Sequence, residues 1–356
     1  MTDSEMDQTK ADAFADRMLN ILNDGALALM TSMGHRTGLF DAMSNLPPST
    51  TDQIAVAAGL NERYVREWLG AMVTGGFVEY DPSHATYRLP PEHAAFLTRS
   101  ATPDNIAAFA QYIPLMGTVE DQVVACFKKG GGVPYSAFGR FHEVMAEDSG
   151  QTVVAALMDS ILPLVPGLID ELESGIEILD VGCGAGRALN LMAEAFPKSN
   201  FTGYDISEEA TATGRAAAEQ QGLTNLSFEI RDVTVLDATD KFNLITAFDA
   251  IHDQAKPDKV LQEIAKALHP SGTFLMQDIA ASSQVQNNID HPVGPLLYTL
   301  SCMHCMTVSL SENGAGLGTM WGEELARSML QEAGFTRVDV EKLSHDFQNV
   351  YYIIKK

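Results

Sequence analysis

The sequence predicts an α/β protein, and three of its features carry that prediction. From residue 175 onward, short apolar runs alternate with segments of helical periodicity, which is the pattern of a parallel sheet covered on both faces. The last two apolar runs are separated only by residues 344–349, too few for a crossover helix, so they should form an antiparallel hairpin. The first 170 residues are instead mainly helical in pattern.

Composition limits the class of protein further. The 356 residues can form two domains, and 46% apolar and 20% charged residues are typical of a globular protein. The net charge of −24 argues against a broad phosphate-binding surface. There is no apolar signal region, and no run reaches the roughly 18–20 apolar residues of a membrane span. Since the four cysteines suggest no disulfide framework, we expect a cytoplasmic protein without a membrane partner.

We expect three segments. Residues 1–100 form a helical domain, residues 101–170 a helical linker that walls a binding site, and residues 171–356 the α/β domain. Residues 280–322 interrupt the alternation of the last domain between its fifth strand and the following helix. An insertion of this length with little regular pattern is usually functional or disordered, and we expect it to act as a lid.

A long helix is predicted near the start of the chain. Over residues 10–32, apolar side chains recur at helical spacing and fall mainly on one face. A helix this apolar needs a partner surface, which is either its own domain or a second copy of the chain. Both alternatives stand at this stage, and the second predicts a homodimer.

A winged helix is predicted next. Thr51 can cap a short helix that stops at Gly59, and Asn61 can cap the helix that follows. Two short extended runs, residues 77–80 and 86–89, flank a turn and should form a hairpin. Two helices followed by a two-stranded wing raise the question of DNA binding.

The charge of this domain argues against nucleic-acid recognition. Residues 1–100 hold seven basic and thirteen acidic residues. The helix in the recognition position carries Arg63 and Arg66 but also Glu62 and Glu67, whereas a groove-reading helix normally lies in a basic surround. We therefore expect a scaffold or dimerisation role, with DNA binding as the minor alternative.

The linker is helical in pattern but irregular, with a break at residues 130–134. Its aromatic and methionine side chains can either line a pocket or pack in the core of the segment, and the pattern alone does not separate the two. The candidates for a pocket lining are Tyr135, Phe138, Phe141 and Met158.

The most specific stretch is residues 177–205. A short apolar strand ends in an aspartate, three glycines follow at alternate positions, and a second apolar strand beyond a helical segment ends in another aspartate. These residues are Asp180, Gly182, Gly184, Gly186 and Asp205. Strand, glycine turn, helix and strand in this order are typical of a nucleotide site.

The spacing decides between nucleotides. A dinucleotide fingerprint requires a small residue where this chain has Arg187, and the Lys and Ser/Thr of a P-loop are missing. Glycines let the backbone approach a ligand closely, and Asp205 can accept hydrogen bonds from both ribose hydroxyls. After the third strand, Asp232 can accept from an adenine amine, and Val233 can offer its backbone N–H. These features favour S-adenosylmethionine.

Residues 175–356 resemble a class I S-adenosylmethionine-dependent methyltransferase. The resemblance rests on DVGCGAG, the acid of GYD, the RDV segment and the terminal hairpin, in that order. It implies a Rossmann-like seven-stranded methyltransferase sheet with a terminal antiparallel hairpin, preceded by an α-helical winged-helix domain. The cofactor-binding residues it implies are Asp180, Gly182, Cys183, Gly184, Gly186, Asp205, Ile206, Asp232, Val233 and Phe248.

The whole chain resembles a narrower group, the two-domain small-molecule methyltransferases whose N-terminal winged helix serves dimerisation. Within it, the chain is similar to an actinobacterial branch often labelled as possible transcriptional regulators. In the related O-methyltransferases a His-Asp pair supplies the general base, and the matching residues are His252 and Asp253. Gln254 stands where many relatives have tryptophan. The alternative for His252 is a polar residue that contacts ligand without taking a proton.

The insertion holds a cluster of cysteine and histidine, Cys302, His304 and Cys305. A second ligand pair at a usual zinc spacing is missing, so we expect no metal site. Methionine and aromatic side chains suit an apolar acceptor pocket, with plain lid packing as the alternative. The candidates in this region are Met303, His304, Met306, Met320 and Trp321.

Two functions from different classes follow. The first is an enzyme that transfers a methyl group from S-adenosylmethionine to a small hydrophobic or aromatic acceptor, at oxygen, with His252 as the base. The second is a winged-helix transcriptional regulator that uses S-adenosylmethionine or another small molecule as effector. The acidic winged helix favours the enzyme.

Overall fold

The computed structural model describes residues 6–356, which divide into two compact units. The first unit ends at Pro114, and the second runs from Leu115 to Lys356. Among the described residues no single helix is long and apolar enough to cross a membrane. Two consecutive helical stretches meet that test only when taken together, with a bend of 104° between them.

The first unit is helical with a small two-stranded sheet. Helix α1 begins at the Asp7 cap, whose carboxylate accepts from the N–H groups of Thr9 and Lys10, and it ends at Gly38 in the left-handed conformation. The helices and strands of this unit are α1 (Gln8–Thr37), α2 (Leu39–Ser44), α3 (Thr51–Ala58), α4 (Glu62–Thr74), β1 (Glu79–Asp81), β2 (Thr86–Arg88) and α5 (Pro91–Leu97), and the division between the units falls within α6 (Tyr112–Gly117).

The winged helix is present, with one correction to its first cap. The cap of α3 is Thr50 rather than Thr51, because Thr50 and Gln53 form a reciprocal capping box between their side chains and backbone N–H groups. Strands β1 and β2 pair antiparallel and form the wing. The unit has its own core, in which the rings of Phe40 and Trp68 meet edge to face at 5.2 Å.

The second unit opens with short, irregular helices, as the sequence predicts. Helices α7 (Glu120–Lys129), α8 (Phe141–Thr152) and α9 (Leu168–Ser174) are separated by single turns of tighter or wider helix. The turns are Tyr135–Ala137, Val154–Ala156, Leu157–Ile161 and Leu162–Leu164.

A seven-stranded sheet forms the centre of the second unit, which confirms the sheet that the resemblance implies. The spatial order is β5-β4-β3-β6-β7-β9-β8. The first five strands in this order are parallel, and β9 runs antiparallel to both β7 and β8. The strands are β3 (Glu177–Val181), β4 (Asn200–Asp205), β5 (Leu226–Ile230), β6 (Phe242–Phe248), β7 (Leu268–Ile279), β8 (Arg337–Glu341) and β9 (Asn349–Lys355).

Helices cover both faces of this sheet. Two clusters of buried apolar residues result, one on each face, because nearly every residue of the central strands is buried. The covering helices within the sheet region are α10 (Arg187–Ala195), α11 (Glu208–Gln221), α12 (Pro257–Ala267) and, further along the chain, α15 (Gly322–Glu332).

The insertion is more regular than the sequence suggests. After a short turn at Val285–Asn288, α13 (Gly294–Leu300), a wide turn at Ser301–Cys305 and α14 (Met306–Ser311) follow one another without a break. Of the two prolines in the insertion, Pro295 lies in the first turn of α13, where its missing N–H leaves no hydrogen bond unmade, and Pro292 precedes the helix. The expectation of an irregular segment was therefore wrong for its central part.

Candidate active site

The candidate site lies where the order of the strands reverses. Chain order runs outward from β3 to β5 on one side and from β6 to β7 on the other, so β3 and β6 are neighbours at the centre of the sheet. In open parallel sheets a crevice forms at the carboxyl ends of the strands at this point. The glycine turn follows β3, and the segment around His252 follows β6.

The glycine turn has a shape that side chains would not permit. Gly182, Gly184 and Gly186 all adopt left-handed backbone angles, with φ of 73°, 53° and 63°. A Cβ at Gly186 would collide with the ring of Phe228, so this glycine permits close packing. A Cβ at Gly184 would meet no atom within 4 Å, so this glycine borders a hollow. A ligand can approach the backbone there.

Asp205 closes one side of that hollow. Its Oδ2 accepts the N–H of Gly184 at 2.8 Å, and its Oδ1 accepts the N–H of Ser207 at 2.8 Å. A carboxylate has about four lone-pair positions, so two remain for further donors. The hydroxyl groups of a ribose are donors of that kind, and the open space at Gly184 gives them room. The residues present therefore fit S-adenosylmethionine.

Asp180 lies beneath the turn rather than in the open space. It is almost fully buried, and its Oδ1 accepts from the Thr246 hydroxyl at 2.7 Å. Burial raises the pKa of Asp180 to about 7, although the bond from Thr246 opposes the shift. Burial likewise raises the pKa of the Cys183 thiol well above its usual value. Both groups can therefore support the turn without carrying a full charge at neutral pH.

The remaining predicted cofactor residues follow the same strand ends. Ile206, after β4, is 77% exposed, and Phe248 at the end of β6 is half-buried. Asp232, after β5, is exposed, and its carboxylate accepts the N–H of Thr234 at 2.9 Å, which lowers the pKa of Asp232. Val233 is buried beside it.

His252 is held between two carboxylates. Its side chain is only 4% exposed, with Nδ1 at 2.8 Å from Asp278 Oδ1 and Nε2 at 3.2 Å from Asp253 Oδ1. Asp278 Oδ1 also accepts the indole N–H of Trp321 at 2.9 Å and the backbone N–H of Ile279 at 2.8 Å. The ring is thus fixed by Asp278, while Asp253 faces the opposite nitrogen.

The carboxylates control the protonation of this imidazole. Burial by itself lowers the pKa of His252, but the negative charges of Asp278 and Asp253 outweigh it, so the pKa lies well above 6.5. The two carboxylates therefore favour the protonated form of the ring. Its Nε2 becomes a base only when that proton has left.

Sequence reasoning missed Asp278 and the position of Trp321. Asp278 ends the buried run of β7, 26 residues beyond His252, so only the pairing of β6 with β7 brings the two together. Trp321 is buried in the apolar core on one face of the sheet, and its indole N–H donates a hydrogen bond to Asp278. The available signal was an aspartate directly after the apolar run of residues 274–276 and Gln277.

An aromatic cluster joins the helical wall to the insertion. His304 is fully buried and stacks on Phe141 with ring centroids 3.5 Å apart. Tyr135 and Phe138 meet its ring edge to face at 5.6 and 4.6 Å. The other predicted pocket residues are half-buried, namely Met158, Met303 and Met306.

His304 is a neutral imidazole inside this cluster. Burial lowers its pKa to about 3, helped by the nearby imidazoles of His252 and His142. Its Nδ1 lies 3.6 Å from Cys305 Sγ, and Cys305 in turn lies close to His252 and Asp253, with ligand-type atoms of these three within 4.8 Å of one another. Within residues 6–356, Cys302 belongs to no such group.

Helix α8 is tied to the cofactor side of the site. His142 lies between the hydroxyls of Tyr135 and Ser207, with Nδ1 at 3.3 Å from the first and Nε2 at 3.4 Å from the second. Arg187, at the start of α10, donates to the backbone oxygen of Ala146 at 2.7 Å. The helical wall and the glycine turn are therefore parts of one site within the second unit.

Two known domain families match the chain. Residues 25–99 match the family described as the Rv2258c-like winged HTH domain, and residues 172–334 match the family described as the methyltransferase domain. The glycine turn and the parallel strands β3 to β7 lie within the residues matched to the methyltransferase domain. The winged helix lies within the residues matched to the other family.

Several methyltransferases are among the relatives found by sequence. A ubiquinone biosynthesis O-methyltransferase of Actinobacillus pleuropneumoniae is 31% identical over 113 residues, which are 30% of this chain and 46% of the relative. A fatty-acid O-methyltransferase of Mycolicibacterium smegmatis is 30% identical over 104 residues, 29% of this chain and 37% of the relative. The chain spans about half the length of the curated relatives it matches first.

Solved structures share the architecture over nearly the whole chain. A putative O-methyltransferase from Nostoc punctiforme has a TM-score of 0.71 at 18% identity, covering 96% of this chain and 98% of its own. Human N-acetylserotonin methyltransferase in complex with its cofactor has a TM-score of 0.69 at 17% identity, covering 99% of both chains. Mitomycin 7-O-methyltransferase MmcR has a TM-score of 0.68 at 17% identity, covering 98% of this chain and all of its own.

Fold and domain matches together define the class. The chain combines a winged-helix domain over residues 25–99 with a methyltransferase domain over residues 172–334, in the order and with the sheet topology of two-domain class I S-adenosylmethionine-dependent methyltransferases. S-adenosylmethionine is the cofactor of that class.

Proposed function

We propose that this protein methylates a hydroxyl group of a small hydrophobic or aromatic acceptor, with S-adenosylmethionine as the methyl donor. The observation that carries the proposal is the imidazole of His252, buried between two carboxylates at the end of the strand beside the glycine turn. The O-methyltransferases among the relatives and structural neighbours support oxygen as the site of transfer.

The cofactor site we propose follows four strand ends. The glycine turn, from Gly182 to Gly186 with Cys183, gives backbone access, and Asp180 supports it from below. Asp205 has two free acceptor positions for the ribose. Ile206, Phe248, Asp232 and Val233 would bound the adenine, the first two by apolar contact and the last two by hydrogen bonds.

His252 is our candidate for the general base. When bound, the cofactor supplies an electrophilic methyl group on a sulfonium, so the protein has to align the acceptor oxygen and take its proton. Asp278 holds the Nδ1–H of the ring, which leaves Nε2 as the nitrogen that can accept a proton. Asp253 then stabilises the imidazolium that results. Such proton transfer contributes about 10²–10⁴ in rate.

The acceptor pocket we propose lies between the helical wall and the insertion. Tyr135 and Phe138 on one side and Met303, Met306 and Trp321 on the other offer apolar surface, with Met158 behind the wall. Because no metal is needed to activate a hydroxyl that His252 can deprotonate, we propose no metal site.

We also propose a cytoplasmic homodimer. Helix α1 exposes a row of large apolar side chains that a monomer would leave in water. They are Phe14, Met18, Leu19, Ile21, Leu22, Leu29 and Met33. A second copy of the same helix would bury them. All four cysteines are free thiols, in keeping with a reducing compartment.

The test replaces His252 by Gln, which keeps a polar side chain but has no basic nitrogen. The variant should bind S-adenosylhomocysteine with nearly wild-type affinity in calorimetry, because the ring is not part of the ribose site. Its kcat should fall about 10²–10⁴-fold on a phenol that the wild type methylates, chosen by following S-adenosylhomocysteine formation over a set of phenols. In the wild type, kcat/KM should rise with pH through the neutral range, because the raised pKa keeps His252 protonated there.

The control is His269→Gln, since His269 is half-buried near the start of β7, where its Nδ1 is hydrogen-bonded to Ser271 and not to the carboxylates around His252. It should leave both affinity and kcat unchanged. A His252→Gln protein that keeps its kcat would remove the base from the proposal, and no binding of S-adenosylhomocysteine by the wild type would remove the methyltransferase itself.

A second candidate function is a transcriptional regulator, and the match to a winged helix-turn-helix family favours it. The charges of α4 oppose it, because Arg66 makes two hydrogen bonds to Glu62, each at 2.8 Å, and Arg63 pairs with Glu67. A binding screen with random-sequence DNA at low salt separates the two functions. Specific binding that weakens steeply with added salt would support the regulator.

A further inference from the structure

The loop that carries His252 has little regular structure of its own. It spans residues 249–256 between β6 and α12, and we call it the base loop. Within it, Gln254 donates its backbone N–H to the oxygen of Ile251 at 3.2 Å and its side-chain amide to the oxygen of Ala250 at 2.8 Å. Loop hydrogen bonds of this kind open more easily than those of a core strand or helix, so the position of His252 depends on what packs against the loop.

Two residues of the insertion donate hydrogen bonds to the end of the base loop. The hydroxyl of Ser309, in α14, donates to the backbone oxygen of Gln254 at 3.0 Å. The backbone N–H of Ala315 donates to the oxygen of Ala255 at 2.9 Å. A Cβ at Gly314 would lie 2.5 Å from the Cα of Ala255, so the two backbones are in direct contact. The insertion thus fixes the backbone immediately beyond the His-Asp pair.

Ser309 also organises the segment that makes these contacts. It is 1% exposed, its Oγ accepts the N–H of Gly316 at 3.1 Å, and its carbonyl oxygen accepts the N–H of Gly314 at 2.8 Å. Gly316 has a φ of 63°, a left-handed angle that glycine adopts without strain. A hydroxyl has one proton to donate, and Ser309 donates it to the base loop. Ser309 therefore joins the glycines after α14 to the oxygen of Gln254.

The insertion also reaches His252 through a thiol. Cys305 Sγ, in the turn just before α14, lies within 4.8 Å of a ring nitrogen of His252 and a carboxylate oxygen of Asp253. Cys305 and Ser309 are four residues apart in one continuous helical run, a spacing that places side chains on the same face. A movement of α14 would therefore change the surroundings of His252 through the thiol and through the loop.

The protonation of this imidazole depends on its distance from nearby charges. The titratable groups that face it are Asp278 from β7, Asp249 and Asp253 from the base loop, and His304 and Cys305 from the insertion. The carboxylates raise the pKa of His252 well above 6.5 against the effect of burial. Displacement of the ring from them, or entry of water, would bring the pKa back toward 6.5. The pKa of His252 therefore reports the position of its ring.

We propose that Ser309 is a positioning residue for the general base, and that the insertion holds the base loop in place as well as covering the acceptor. The inference rests on the proposed function, in which His252 takes the proton of the acceptor. Ser309 acts through the backbone of Gln254 and takes no part in the proton transfer itself.

The test compares Ser309→Ala with Ser311→Ala. Ser311 lies two residues further along α14, is half-buried, and its hydroxyl donates to the oxygen of Val308 in the same helix at 2.7 Å. Each variant loses one hydroxyl from the same helix. A general loosening of α14 would therefore affect both variants alike, whereas loss of the bond to the base loop occurs only in Ser309→Ala.

The pKa of His252 is measured by NMR on histidine-labelled protein, with the His252→Gln variant to assign its signals. Ser309→Ala should lower this pKa toward 6.5, and Ser311→Ala should leave it unchanged. On a phenol that the wild type methylates, Ser309→Ala should lower kcat about 10- to 100-fold and move the rise of kcat/KM to lower pH. Its affinity for S-adenosylhomocysteine should not change, because the glycine turn and Asp205 are untouched.

The outcomes separate the positioning role from the proposed function. An unchanged His252 pKa in Ser309→Ala, or equal shifts in the two serine variants, overturns the proposal. A fall in kcat without a shift of the pKa assigns Ser309 to the acceptor pocket and overturns it as well. Because the NMR titration needs no acceptor, a wild type that methylates none of the phenols removes the proposed function, while the shift still tests the hold on His252. If Ser309→Ala does not fold by circular dichroism, Gly314→Ala, whose Cβ would press on Ala255, should give the same shift.

Discussion

The folded protein keeps the imidazole of His304 unprotonated at pH values where the unfolded chain would protonate it. Burial lowers its pKa to about 3, whereas in the unfolded chain it protonates near 6.5. Between these values the unfolded state binds one more proton, so folding stability rises with pH and is lost as pH falls from about 6.5 toward 3. The neutral ring also explains how a histidine can stack flat on Phe141 in a buried cluster.

We expect His304→Phe to lose less stability in acid than the wild type. The variant keeps an aromatic ring against Phe141 and has no group to protonate in the unfolded state. Between pH 6.5 and pH 5, the free energy of unfolding of the wild type should fall by about 2 kcal/mol more than that of the variant. This figure follows from an interval of about 1.5 pH units over which the unfolded wild type takes up the extra proton. Urea unfolding at the two pH values measures it, with His269→Phe, a half-buried position outside the cluster, as control. Parallel pH dependence of wild type and variant would contradict the pKa of His304.

Asp205 is the residue on which cofactor binding should depend most. Asp205→Ala removes the acceptors that the N–H groups of Gly184 and Ser207 use, together with those left for the ribose. We expect no measurable affinity for S-adenosylhomocysteine in calorimetry. Asp237→Ala, on an exposed turn after β5, is the control and should bind normally. Near wild-type affinity of the Asp205 variant would reject the ribose assignment.

Residues whose role depends on local backbone could be predicted from the sequence, and residues whose role depends on pairing could not. Asp205 and the three glycines stand in one stretch with its own spacing. The hydrogen bond between Asp278 and His252 depends on the register of β6 with β7, and no local sequence pattern specifies that register. Ser309 is a third case, because nothing in its neighbours signals that its hydroxyl reaches the loop after β6.

At the scale of elements, the glycine turn contains two kinds of glycine. We expect Gly186→Ala to lower the free energy of unfolding by about 2–4 kcal/mol, because it adds a left-handed alanine and a clash with Phe228. Gly184→Ala should cost only about 1–2 kcal/mol, since its Cβ meets nothing, but should block the cofactor. Urea unfolding and calorimetry with S-adenosylhomocysteine measure the pair. Equal effects of both changes on both readouts would contradict the distinction.

Strands were easier to predict than the insertion. The seven strands are apolar runs of ordinary length between clear stops, and each pairs as its position in the chain requires. The helical run of Gly294–Leu300, Ser301–Cys305 and Met306–Ser311 was missed because cysteine, threonine and valine favour helices weakly. Contacts with other parts of the chain stabilise this helical run. One of them is the hydrogen bond in which the Thr307 hydroxyl accepts the N–H of Val133 at 2.9 Å.

At the scale of the whole molecule, the proposed dimer would form through the exposed face of α1. We expect the protein to sediment as a dimer and the Leu22→Glu variant as a monomer, because a charge at a side chain that is 66% exposed disrupts an interface without disturbing the unit's own core. Asn20→Glu, on the same helix at an exposed polar position, is the control. Sedimentation velocity measures both. A monomeric wild type at micromolar concentration would reject the dimer.

The order of strands in the sheet has a consequence for synthesis. Strand β9 comes after β8 in the chain but lies between β7 and β8 in space. On the ribosome, β8 therefore has no neighbour to pair with until residues 349–355 have been made, and β7 presents an open edge during the same interval. Folding of the sheet must wait for its last strand, so a ribosome stalled near residue 345 would hold a chain with an exposed, aggregation-prone edge.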